Sequence, residues 1–341
     1  MSVDFLNTDH SIETKWRSLI LFGNNTATYK FAFAKSLLEL VDNETTKISL
    51  EDLAKPFALN LAEHLKSSPK QINSNSSSYL NQIEQFNKGE IDIATIIRAT
   101  QKDGFKYVID AFQNLHGDQI NSPFYHKDYT GRRKELIVTD ELLKLKDSAQ
   151  LSNLPLEVEA RWKLVETAWN LNINPNLLEV IHDDENQRFF IRESQLLKRI
   201  DITSSRDSLN GYQKGKCFYS FKDIHLTGEN VCHIDHFFPH SHKSLFHNAG
   251  ININGVWNLV LADAEINGDK SNKIPKRRFL ERLHKRNEFY IQSKHPLAET
   301  IINQTGRTTN QRIAFLERCY NLVDASQNKW QPSIELLPLF L

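Results

Sequence analysis

The stretch that decides the reading is Cys232–His242, CHIDHFFPHSH, with Gly255–Ala262, GVWNLVLA, and Asp263–Pro275, DAEINGDKSNKIP, behind it. The first piece predicts a short strand ending soon after His236, because the proline at 239 cannot donate to a sheet ladder. The second is strongly apolar and predicts another strand. The third predicts a short helix and its exit. Asp235 and His236 are adjacent, Asn258 follows twenty-two residues later, Asn267 nine after that and Lys270 three after that.

These residue types suit the cutting of a phosphodiester. The leaving and phosphoryl oxygens gain negative charge, which a hard divalent cation stabilises while it orients the phosphate. Magnesium takes oxygen ligands and keeps several waters, so one carboxylate and one amide oxygen are a sufficient protein contribution. The attacking water must lose a proton, and a histidine neutral near pH 7 can take it. Asp235 and Asn267 are therefore the candidate metal ligands and His236 the candidate general base. Successive strand side chains point to opposite faces, so Asp235 serves beside His236 only if the strand ends there.

Working outward, Arg206–Ser220 (RDSLNGYQKGKCFYS) predicts a glycine-broken turn and a short aromatic strand. The first two hundred residues read mostly as helices. Ala27–Leu40 places Tyr29, Phe33, Ser36, Leu37 and Leu40 on one face, with Asn25 or Thr26 as the cap. Ser49 opens SLED, a capping pattern, before Leu53, Phe57, Leu61 and Leu65. Leu156–Leu171 carries a stripe of Val158, Trp162, Val165 and Trp169, and a further helix begins at Asp140. Residues 66–79, rich in Ser and Asn, read as a loop, and two hairpins are expected, within Pro123–Val138 and around a turn at Asp183–Asn186. Cys319 sits at helical spacing with Phe315 and Leu322. At about 150 residues per domain, 341 residues allow roughly two. The expected class is α+β: a mostly helical region over 1–200, a domain carrying the strand–strand–helix pattern over 201–295, and a helical extension over 296–341.

Lys and Arg total 42 and Asp and Glu total 42, which excludes a uniformly basic binder but not a local basic groove. Lys270–Arg286 holds eight basic residues against Glu281 alone. Lys270, Lys273, Lys276, Arg277, Lys285 and Arg286 are the candidate nucleic-acid contacts; Arg278 and Arg282 are alternatives for pairing with the acidic N-terminal region. Phosphate contacts of this kind make binding fall steeply with salt, and no residue here is an evident reader of base edges. Hydrophobic residues at 40% and aromatics at 10% suffice for a core and exceed what a disordered chain carries. No apolar run approaches the roughly 18 residues of a membrane span. The start, MSVDFLNTDHSIETKW, has acids where a signal peptide needs basic and then apolar residues. Three cysteines make no disulfide framework, so a soluble cytoplasmic protein is expected.

The core segment resembles the HNH endonuclease family, which has a ββα-metal fold. The likeness rests on Asp235, His236 and Pro239, on WNLVLA at 257–262, and on Asn267, Lys270, Ser271 and Pro275. It implies that His236 activates water, Asp235 and Asn267 bind one Mg2+ or Mn2+, Asn258 holds the loop carrying the histidine, and Lys270 lies near the scissile bond. It further implies DNA as substrate, a setting in bacterial restriction or antiphage defence, and a helical N-terminal region that positions the nuclease, gates it or binds a partner protein. A single-metal site in a monomer makes nicks; double-strand cleavage needs a dimer or two events. Most of the chain is similar in style to bacterial HNH proteins with such a region, through stretches like FGNNTATYKFAFAKSLLEL, EARWKLVETAW and LNGYQKGKCFY.

One departure is evident. Many HNH proteins carry two CxxC pairs holding a structural zinc, and here the four positions are Cys217, Ser220, Asp263 and Ile266. Tetrahedral zinc needs four good ligands, so no structural zinc is expected; Cys217 becomes a small buried hydrophobe and Ile266 core. Two other classes stay open at this level. One is a nucleic-acid-binding module with weak or no cleavage, acting with a partner. The other is a zinc-binding interaction protein using Cys232 and the five histidines from His233 to His247.

Overall fold

The computed structural model describes residues 11–336 except 24–25, 43, 73–76, 116, 171–178, 194–197, 229–230, 294–295 and 324–328. Asn25 as a cap, the end of the 156–171 helix, the middle of the 66–79 loop and the first ten residues lie outside these. The described residues divide into two compact units, one within 11–172 and one from 173 onward.

The first unit is built mainly of helices around one apolar core. Ser49 caps Leu50–Ser67 by accepting the Asp52 N–H at 3.0 Å, and the four-residue repeat of Leu53, Phe57, Leu61 and Leu65 is buried along it. Tyr29–Leu40 starts at Thr28 and buries Phe31, Ala32, Ala34 and Leu38 as well as Phe33 and Leu37, so it is a central helix with no single face. Leu154–Asn170 buries Val158, Trp162 and Val165 against it. The expected hairpin forms as Tyr125–Asp128 and Glu135–Val138, and Lys47–Ser49 joins its second strand.

The second unit opens with a three-stranded antiparallel sheet, Val180–Asp183, Arg188–Glu193 and Lys198–Ser204. His233–His236 pairs antiparallel with Leu259–Ala262, setting His236 opposite Leu259 and Asp235 opposite Val260. Ala264–Lys270 follows as a helix capped by Asp263. The longer helices Arg278–Gln292, Pro296–Thr305 and Thr309–Leu322 complete the unit, the last opened by a capping box of Thr308 and Gln311. The molecule is mixed α+β, with helices before and after the strand–strand–helix element. No helix among the described residues is long and apolar enough to cross a membrane.

The aromatic strand expected at the end of Arg206–Ser220 is not formed. The chain turns there, with positive φ at Lys214 (55°), Gly215 (69°) and Phe221 (60°), which breaks an extended run. Phe218 still donates its N–H to Leu261 O at 2.9 Å, so the turn leans on the second strand without joining it.

Candidate active site

Strand alternation sorts the site into two faces. His233 and Asp235 share one, Ile234 and His236 the other. The Ala264–Lys270 helix lies against the first face, held at its start by Asp263, whose Oδ1 accepts from the N–H groups of Glu265 (3.1 Å) and Ile266 (3.4 Å). Asn267 and Lys270, three apart, are neighbours on one side of that helix. Asn267 Nδ2 stands 3.3 Å from His233 Nδ1. Lys270 Nζ donates to Asp235 Oδ1 at 3.0 Å and to His236 O at 2.8 Å. Tyr219 OH donates to Asp235 Oδ2 at 2.6 Å. Asp235 is 8% exposed and Lys270 0%, so this is a buried ion pair. Burial lifts the Asp235 carboxyl above its ordinary range, against the opposing pull of Lys270 and Tyr219.

His236 turns to the other face. Its Nε2 is 3.1 Å from Asn254 Oδ1 and 3.6 Å from Asp184 Oδ1, the latter beyond hydrogen bonding and within ion-pair range. Asp184 also faces His182 Nε2 at 3.2 Å and His240 Nε2 at 3.6 Å, so one carboxylate stands among three imidazoles. Burial pushes His236 down to about 4, more than the Asp184 charge pulls it up, and the ring is neutral near pH 7. The loop after it is fixed by Asn258, which is fully buried in the Val256–Asn258 turn. Its Oδ1 accepts the Phe238 N–H at 2.8 Å, and its Nδ2 donates to Phe238 O at 3.1 Å and Ile253 O at 2.9 Å. That closed amide–peptide pair fixes where the chain goes after His236.

A family model for HNH endonucleases matches residues 217–276, which span both strands and the helix just described. Residues 217–276 are an HNH endonuclease domain. No curated protein and no solved structure matches the chain. The HNH domain belongs to phosphodiester hydrolases that work with a divalent metal ion.

The donors of the first face suit such an ion in kind: the Asp235 carboxylate, the Asn267 amide oxygen and the His233 imidazole. Among the described residues no group of three or more His, Cys, Asp or Glu side chains is disposed to hold a metal ion by itself. An ion here must therefore take much of its shell from water and substrate oxygens, which is the habit of magnesium. The restriction is Lys270, whose ammonium already neutralises Asp235. A divalent ion at Asp235 would share the carboxylate with Lys270 or displace it.

The basic stretch after the HNH helix is largely spent within the domain. Lys270 and Arg286 are buried, Arg286 donating to Trp257 O at 2.9 Å. Lys273 pairs with Asp269 and Lys285 with Glu281, and Arg277 pairs with Glu317. Arg278 and Arg282 both pair with Glu335, in the C-terminal segment and not in the acidic N-terminal region. Of the six candidate contacts, only Lys276 and Arg286 have no carboxylate partner among the described residues, and Arg286 is buried with its guanidinium on backbone carbonyls, which leaves Lys276 as the exposed one.

Around the turn at 217–222, Cys217 is buried and its Sγ accepts the Asp263 N–H at 3.4 Å, while Lys222 pairs with Asp263 Oδ2 at 3.2 Å. Arg282 donates to Phe218 O (2.8 Å) and Tyr219 O (3.0 Å) and lies 4.3 Å from the Phe221 ring. Leu336 N–H reaches Ser220 O at 2.7 Å. The turn is thus clasped by an arginine and the C-terminal segment.

Asp184, His182, Asn254 and Tyr219 are side chains of the site that sequence reasoning did not single out. Asp184 and His182 come from a hairpin some fifty residues before His236, carried to it by a backbone bridge between Ile181 and Gly255. Gly255 is needed there, since a Cβ would meet the Trp257 ring at 2.5 Å. An acidic hairpin turn normally reads as solvated surface, so nothing local marked Asp184.

Proposed function

We propose that the protein is a metal-dependent endonuclease that hydrolyses DNA phosphodiester bonds, with His236 as general base and Asp235 and Asn267 as the residues that hold the ion. The observation that carries this reading is His236 itself: largely buried and neutral, on the strand of a ββα element, with the following loop tied down by Asn258. Its Nε2 faces the oxygens of Asn254 and Asp184, so that nitrogen carries the proton. Nδ1 is then the lone-pair atom that takes a proton from the attacking water. Asn254 and Asp184 position the ring, and Asn258 positions the loop behind it. When bound, a divalent ion, Mg2+ or Mn2+, stabilises charge on the phosphoryl and leaving oxygens. Lys270 keeps the Asp235 charge compensated, and Tyr219 fixes the carboxylate plane. DNA as substrate, and a role in restriction or antiphage defence, rest on the likeness to bacterial HNH proteins; the helical region expected over 1–200, which as a compact unit ends at 172, then positions the nuclease, gates it or binds a partner.

The test is nicking of supercoiled plasmid with Mg2+, Mn2+ or EDTA, beside a labelled RNA of matched length. Divalent-dependent nicking that EDTA abolishes and His236→Ala lacks is the expected result. Cleavage unaffected by His236→Ala, or none with any divalent ion, ends the proposal, and cleavage of RNA alone reassigns the substrate.

A further inference from the structure

The unit within 11–172 carries a cleft of about 460 Å³ lined by Arg98, Lys102, Arg132, Arg133 and Lys134 with Glu51 as the one acid. All five cations are exposed. Among the described residues none of them is paired with a carboxylate; Arg98 donates to Thr95 Oγ1 at 3.0 Å and Lys134 lies 5.4 Å from the Tyr129 ring. Other lysines of the same unit do have such partners, as in Lys35–Glu159, Lys47–Asp128 and Lys127–Asp110. We infer that this cleft is a binding site for the phosphate backbone of nucleic acid, a grip separate from the HNH motif. The inference rests on the nuclease reading for the class of polymer.

The local build concentrates charge at a cost to the fold. Arg98 and Lys102 are four apart across the start of a π-helical turn, Thr100–Gly104, an element frequent at functional sites. Like charges at that spacing are mildly destabilising in a helix. The turn is held by Thr100, whose hydroxyl donates to Ile96 O at 2.7 Å, and by close packing of Gly104, where a Cβ would meet Tyr79 at 2.9 Å. Three consecutive cations, Arg132, Arg133 and Lys134, form the end of a hairpin turn, and Leu50 N–H donates to Lys134 O at 2.9 Å, fixing that turn on the start of the Leu50–Ser67 helix. Cations grouped with a single acid among them favour an anion with several charges along its length.

The neighbouring ring favours nucleic acid over an acidic peptide. Tyr129 is 40% exposed and stands 5.8 Å from Lys127 Nζ and 5.4 Å from Lys134 Nζ. Cations beside an exposed aromatic are the combination that holds a backbone and stacks a base.

The experiment is fluorescence anisotropy of a labelled duplex and of a labelled single-stranded oligonucleotide with the full chain in EDTA, over a series of KCl concentrations. Arg98→Ala/Arg132→Ala/Arg133→Ala is expected to weaken binding by about tenfold or more and to flatten the slope of log K against log salt by about 2–3. Lys102→Glu, one exposed change that leaves the fold alone, is expected to weaken binding about threefold. Lys273→Ala/Lys285→Ala, whose charges are already paired, is expected to change it less. Affinity and slope unchanged in both cleft variants overturn the inference, as does competition by polyglutamate equal to that by unlabelled duplex. Plasmid nicking by the intact chain separates the two ideas. A chain that nicks while its cleft variants bind like the parent leaves the nuclease reading standing and removes the cleft; one that never nicks but loses binding in those variants does the reverse.

Discussion

His64 is buried and His236 largely so, one in each unit, and their pKa values are shifted in opposite directions. Burial acts first on both, pushing each imidazole toward neutrality. At His64 it is outweighed: Nδ1 is 2.8 Å from Glu166 and Nε2 3.3 Å from Glu159, and the pKa is raised. The ring also stacks on Trp162 at a centroid distance of 3.5 Å. At His236 the carboxylate stands 3.6 Å away and is shared with two other imidazoles, and the pKa falls to about 4. Two close carboxylates at one ring, against a single more distant carboxylate shared among three rings at the other, separate an imidazole held toward its charged form from one held neutral.

The largest effect expected from that contrast is on cleavage. His236→Ala should lose about 10²–10⁴-fold of the divalent-dependent rate, the range for a general base, with little change in melting temperature. His64→Ala should do the opposite, lowering the melting temperature while the nicking rate of the folded chain stays near the parent. Equal rate losses in the two variants, measured on plasmid at a temperature where both are folded, would break the contrast.

The next effect is on stability. Lys270→Met leaves the Asp235 carboxylate buried without its cation, which typically costs about 3–5 kcal/mol, read by urea unfolding. Lys270→Met/Asp235→Asn should recover much of the loss, because no unpaired charge then remains. The same pair bears on the ion. If Lys270 competes for Asp235, then a Lys270→Met chain that stays folded should bind Mn2+ more tightly than the parent in calorimetry.

At His64 the sign of the pH dependence can be checked. A folded-state pKa above the ordinary 6.5 means that the protonated ring stabilises the unit, fully at pH below the unfolded value. That contribution is lost as pH rises through the folded value. Glu166→Gln keeps an acceptor for Gln71, which now donates to Glu166 Oε2 at 2.8 Å, but removes the charge. It should cost about 1–3 kcal/mol below neutrality and shrink the pH dependence of the melting temperature. The stabilisation due to His64, taken as the parent melting temperature minus that of His64→Ala, should shrink from mildly acid to mildly alkaline pH; a difference that grows instead would contradict the raised pKa.

What was legible in the sequence was whatever lies close together along it. Asp235, His236, Asn258, Asn267 and Lys270 fall within thirty-six residues, on two strands and a helix whose apolar patterning declares them. The Ser49 cap and the two hairpins were readable for the same reason. What stayed hidden was set by distant partners. The basic run at 270–286 looked like a free cationic face because Glu317 and Glu335, which take up Arg277, Arg278 and Arg282, are remote in sequence. The cleft of the first unit was hidden for the converse reason, since Arg98 and Lys102 meet Arg132–Lys134 only after the hairpin docks on the Leu50–Ser67 helix.

Asp184 is the finest of these effects to test, because its role passes through another residue. Its carboxylate lies on the Nε2 side of His236, so it favours a proton on that nitrogen and a free lone pair on Nδ1. Asp184→Asn keeps the shape of the turn and removes the charge, while Asn254 still accepts from Nε2. The cost to cleavage should therefore be modest, about tenfold or roughly 1.4 kcal/mol in the barrier. A purely structural role for Asp184 predicts lost stability with the ring's tautomer unchanged. A positioning role predicts the reverse: near-parent urea unfolding, with the 15N shifts of His236 moving toward a mixture of Nε2–H and Nδ1–H forms. Since Asp184 also faces His182 and His240, Asp184→Ala should disturb all three rings and lose more activity than Asp184→Asn. If the two substitutions are indistinguishable in both rate and spectrum, the carboxylate is a bystander and Asn254 alone orients the imidazole.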